Sequence, residues 1–133
     1  MHKLDKPLYH GTSKASAILA LGIDGFNAPI YLTEDKREAQ HYAKAATAYL
    51  EKIAREEGST LIAEGCAVVT FNSVPDKDQL IVDDYNLEAE PGQWKYLKRI
   101  RGLQHFHIDY FSLETSEEEH LRLVCFAIGM WRN

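Results

Sequence analysis

Between Asp35 and Gly58 the chain carries one long amphipathic helix signal, and the fold must bury one side of it. Ala39, Tyr42, Ala43, Ala46, Tyr49, Leu50 and Ile53 recur at spacings of three and four, the period that lines one helical face. Lys36, Arg37, Glu51, Lys52, Arg55 and Glu56 fall mostly on the other face. Asp35 or Thr33 suits the N-cap, Glu38 is set to complete a capping box from Asp35, and Gly58 ends the helix.

Strand signals flank this helix. Pro7–His10 reads as a first strand, and Ser13 opens an alanine-rich helix that Gly22 ends. Asp24–Pro29 is turn chemistry, and Ile30–Thr33 is a second, terse strand. Beyond the helix, Cys66–Phe71 reads as a buried strand that Ser73–Asp76 breaks. Leu80–Val82 is a short strand running into Asp83, Asp84, Tyr85 and Asn86. The segment Gln93–Arg101 is basic with aromatics and fits helix or loop. In His105–Leu113, Phe106, Ile108 and Tyr110 alternate with His105, His107 and Asp109, which reads as a strand. After the acidic run Glu117–Glu119, Leu121–Ile128 reads as a last strand. Helices and strands early and mostly strands later define a mixed α+β domain.

The 133 residues suit a single domain, 1–133, with a core of its own. A net charge of -5 argues against a dominant phosphate-binding surface, though not against a local basic patch in the Trp94–Arg101 stretch. No apolar run is long enough to span a bilayer, and the polar N-terminus lacks a signal-peptide core. Cys66 and Cys125 both sit in apolar runs, where buried free thiols are expected. The expected location is the cytoplasm, with no membrane partner.

The chemistry centres on Leu8-Tyr9-His10-Gly11-Thr12-Ser13, a strand end that delivers a histidine beside a glycine and two hydroxyls. Two further strand ends follow: Ile30-Tyr31-Leu32-Thr33, with Ala39, Tyr42 and Ala43 on the helix after it, and Leu80-Ile81-Val82-Asp83-Asp84. This order resembles the ADP-ribosyltransferase superfamily, nearest to the small His-Tyr-Asp type exemplified by rifampin ADP-ribosyltransferase. The resemblance covers roughly residues 7–86.

What the resemblance implies is a compact fold of two small packed β-sheets with flanking helices, forming a cleft for NAD. The implied activity is mono-ADP-ribosyl transfer: cleavage of the nicotinamide–ribose bond and transfer to a small molecule, a protein or a nucleic acid. The implied site is metal-free. His10 would hold a ribose hydroxyl, Tyr31 would stack on nicotinamide, and Gly11, Thr12 and Tyr42 would contact NAD. Asp84 would stabilise the oxocarbenium-like centre, with Asp83 and Glu119 as alternatives. A drug-modifying enzyme, a toxin or a phage effector would all fit, the toxin with an antitoxin or other protein partner. Two other readings stand beside this one. His105, His107 and Asp109 on one strand face suit a metal-dependent hydrolase, with His41 or His120 completing the ligands. The chain could also be an inactive NAD- or ADP-ribose-binding or interaction module of the same fold.

Overall fold

The computed structural model describes residues 2–22, 25–58, 65–83, 92–102 and 105–132. The elements are β1 (His2–Ser13), α1 (Lys14–Ala20), β2 (Ile30–Thr33), α2 (Lys36–Glu56), β3 (Cys66–Val74), a 3-10 turn (Lys77–Gln79), β4 (Leu80–Val82), β5 (Gln93–Tyr96), β6 (Phe106–Phe111) and α3 (Glu117–Arg132). The strands form one six-stranded sheet in the order β4-β5-β2-β1-β3-β6, and its registered pairs are antiparallel. The fold is α+β, as expected, but one sheet stands where two packed sheets were expected. β1 is the reason. At 12 residues it pairs with β3 at His2 and Lys3 and, after a register shift, from Leu8 to Ser13, and it still reaches β2 at Tyr9↔Thr33, joining both strand groups.

Alternation gives the sheet two buried faces. On one, Leu8, Ile30, Leu32, Val69, Phe71, Tyr96 and Phe106 pack with Phe26 and Ile100. Those last two residues come from loops that bridge each other, Phe26 N–H to Ile100 O at 2.9 Å and Ile100 N–H to Phe26 O at 3.2 Å. This is the loop face. On the other, Cys66 and Val68 meet Ala39 and Ala43 of α2. This is the helix face.

The long helix forms where its periodicity put it, with Asp35 as N-cap accepting from the N–H groups of Arg37 and Glu38. It buries two sides, where one was expected. Ala39 and Ala43 face the sheet, while Ala45 and Ala48 pack against Leu123, Val124 and Ala127. Leu50, counted on the apolar face, is exposed. The second side exists because the last element is a helix and not the expected strand. Its buried positions, 123, 124 and 127, follow a helical period, and Ser116 Oγ accepts from Glu119 N–H in its first turn. In consequence Cys125 is exposed, while Cys66 is buried; neither is in a disulfide. The basic aromatic segment corrects a second expectation, because Gln93–Tyr96 is a strand held between β2 and β4. Among the described residues no helix is long and apolar enough to cross a membrane.

Candidate functional site

A cleft of about 470 Å³ opens on the loop face, within the range usual for small-molecule sites. His10 and Thr12 of β1, Ile30 of β2, Ser16, Leu19 and Ala20 on α1, and the loop residues Gly25, Phe26 and Asn27 line it. α1 stands over the cleft because buried Ser13 caps it, Oγ accepting from Ser16 N–H at 3.1 Å. Gly25 holds the outer loop close. It sits at φ +66°, and a Cβ there would lie 2.2 Å from Ile100 O.

His10 is the chemical centre of this cleft. Its Nδ1 lies 2.9 Å from Tyr31 O. A carbonyl only accepts, so Nδ1 carries the proton and the neutral ring keeps Nε2 as an acceptor. Burial pushes the His10 pKa down, partly offset by the bond to the Tyr31 carbonyl. The Phe26 ring meets the imidazole edge-on, with centroids 6.0 Å apart. A half-buried, neutral acceptor in a cleft suits a ligand hydroxyl.

Tyr31 contributes its carbonyl on this side and its ring on the other. Ile30 and Leu32 are buried on the loop face, so Tyr31 between them points to the helix face, where it is 56% exposed. The His10 and Tyr31 side chains therefore stand on opposite faces of the sheet. Between them β1 and β2 part: they register only at Tyr9↔Thr33, although β1 runs on to Ser13 and β2 begins at Ile30. Gly11 is a packing residue on the helix face. A Cβ on it would lie 1.9 Å from Ala39 O and 2.7 Å from Ala43 N, so α2 rests on the backbone of β1 there.

Beside Tyr31 lies a polar cluster that sequence reasoning missed. Two residues along β2 on the same face, Thr33 meets Gln93 of β5 and Glu38 of α2. The Gln93 amide donates to Glu38 Oε2 at 3.0 Å and to Thr33 Oγ1 at 3.2 Å. Tyr42 Oη donates to Glu38 Oε1 at 2.6 Å, and the Thr33 hydroxyl lies 3.5 Å from Oε2. Glu38 was expected to turn back to the cap. Its carboxylate instead reaches forward to these three donors, and Thr33 Oγ1 accepts from Asp35 N–H in its place. Tyr42, expected as an NAD contact, is bound to Glu38 and stacks on Phe126 at 5.8 Å.

Of the acidic residues considered, Asp84 lies outside the described residues. Asp83 donates its N–H to Gln93 O at 2.9 Å, which sets it beside the cluster. Glu119 is exposed on the first turn of α3. That turn lies against Glu51, where His120 Nε2 is 3.2 Å from its carboxylate, roughly 13 Å along α2 from Tyr42 at 1.5 Å per residue. The histidine-rich strand is not gathered into one ligand set. His107 and Asp109 pair on the surface at 3.0 Å, whereas His105 is buried with Nδ1 3.0 Å from Ser73 Oγ. His41 lies against Phe126. Among the described residues no group of three or more His, Cys, Asp or Glu is arranged to hold a metal ion.

No family model, curated protein or solved structure matches this chain.

Proposed function

We propose that the protein is an NAD-dependent mono-ADP-ribosyltransferase whose dinucleotide enters the cleft at His10. One observation carries the reading: an imidazole kept neutral by burial and fixed as an Nε2 acceptor by the Tyr31 carbonyl, inside a cleft of about 470 Å³. That acceptor fits a ribose hydroxyl and positions without moving a proton. Thr12 and Ser16 add hydroxyl donors to the same cleft. The ring of Tyr31, across the parting of β1 and β2, offers an exposed aromatic face for nicotinamide. The resemblance implies Asp84 as the carboxylate beside the breaking bond. The acceptor is a small molecule, a protein or a nucleic acid, and Lys98, Arg99 and Arg101, exposed on the loop that clasps Phe26, would favour an anionic one.

The test is direct. Purified protein with NAD should release nicotinamide slowly, by hydrolysis, and His10→Ala should weaken NAD binding about tenfold, the scale of one hydrogen bond. Absence of both NAD binding and nicotinamide release in the wild type would end this reading. Tight binding without release would make the cleft that of a binding module.

A further inference from the structure

We infer that Glu38, set in place by Gln93, and not the Asp84 that the resemblance implies, is the carboxylate that serves the breaking nicotinamide–ribose bond, an inference that rests on the transferase reading above. A carboxylate accepts about four hydrogen bonds. Glu38 takes contacts from the Tyr42 hydroxyl, the Gln93 amide and the Thr33 hydroxyl, and these come from three separate elements, α2, β5 and β2. Such convergence fixes the carboxylate without neutralising it, since all three partners are uncharged donors. No cation within 4.0 Å pairs with it among the described residues. A fixed, uncancelled negative charge is what a positive transition state needs.

Placement agrees with this role. Thr33 and Tyr31 lie on the same face of β2 two residues apart, about 7 Å along the strand. The Glu38 cluster thus sits one pleat from the ring on which nicotinamide would rest. His10 lies across the parting of the strands and would hold the other end of the dinucleotide. A cap-forming glutamate would point back to the Asp35 N–H; here that N–H is taken by Thr33 Oγ1, which leaves Glu38 for the cluster.

The C1′–N bond breaks, and its electron pair leaves with nicotinamide, which departs neutral. Positive charge gathers on C1′ and the ribose ring oxygen, facing the Glu38 carboxylate, which also accepts from a ribose hydroxyl. Water, or the hydroxyl or amine of an acceptor, forms the new bond at C1′ and releases its proton to solvent. Glu38 is then a catalytic residue, and Gln93 a positioning residue.

The experiment compares wild type, Glu38→Gln, Glu38→Asp, Gln93→Ala and Asp84→Asn in nicotinamide release, with NAD affinity and thermal unfolding measured on each. Glu38→Gln keeps the shape and should lower kcat about 100-fold or more while NAD affinity stays within about twofold. Gln93→Ala should lower kcat about tenfold with affinity unchanged, a split that loss of fold would not produce. Should Glu38→Gln fail to fold, Glu38→Asp keeps the charge but withdraws it, and must still lose kcat. An active wild type whose folded Glu38 variants keep kcat within about threefold overturns the inference alone, all the more if Asp84→Asn is dead. A wild type that neither binds nor cleaves NAD overturns the transferase reading and this inference together.

Discussion

At Gly11 strand and helix are in backbone contact, and no side chain can give way. Gly11→Ala drives a methyl into the Ala39 carbonyl, and should cost about 3 kcal/mol, the upper end of ordinary overpacking. A fall in the urea midpoint at unchanged slope would register it. His10 sets a pH dependence. Its native pKa is depressed by burial, while in the unfolded chain it titrates near the ordinary 6.5. The unfolded chain therefore binds the proton first, so the stability from a neutral His10 is whole above about pH 6.5 and declines as pH falls below it. His105 is shifted the same way by burial and adds to the slope. His10→Gln should flatten part of that slope in denaturation curves taken between about pH 7 and 5, leaving the His105 share.

Among the elements, α3 separates two patterns that share the same apolar residues. A strand would set Leu121, Leu123, Cys125 and Ala127 on one face; the helix instead buries Leu123, Val124 and Ala127 against Ala45 and Ala48. Leu123→Ala should cost about 2–3 kcal/mol, and Leu121→Ala less than about 0.5 kcal/mol, because Leu121 is 61% exposed. Equal losses at both positions would argue for a strand. The strand expectation failed for a physical reason: a short apolar run carries little period, and the acidic residues before it, Glu117–Glu119, form the first turn of the helix. α2 was legible because it is long, and a long helix repeats its period many times. β5 was not. Four residues, Gln93–Tyr96, gain their strand character from ladders to β2 and β4, which no local pattern encodes.

In the whole molecule, the histidine cleft was legible as a strand end next to a glycine, but Gly11 serves packing against α2, on the face away from the cleft. The opposite facing of His10 and Tyr31 follows from strand parity once register is known, and register depends on the sheet as a whole. The Glu38 cluster could not be read from spacing alone. Gln93 is 55 positions away in the chain, and only the pairing of β5 with β2 brings it near. The one signal available was a glutamate three residues into a helix with a tyrosine one turn on, a pair that also suits capping. The contrast between the two cysteines has a practical side. Burial pushes the Cys66 thiol up and hides it, whereas Cys125 stands open on α3 next to Phe126, whose ring stacks on Tyr42. A thiol-reactive fluorophore would therefore attach at a single address, and its emission would report on the tyrosine that holds Glu38 without any engineered label site.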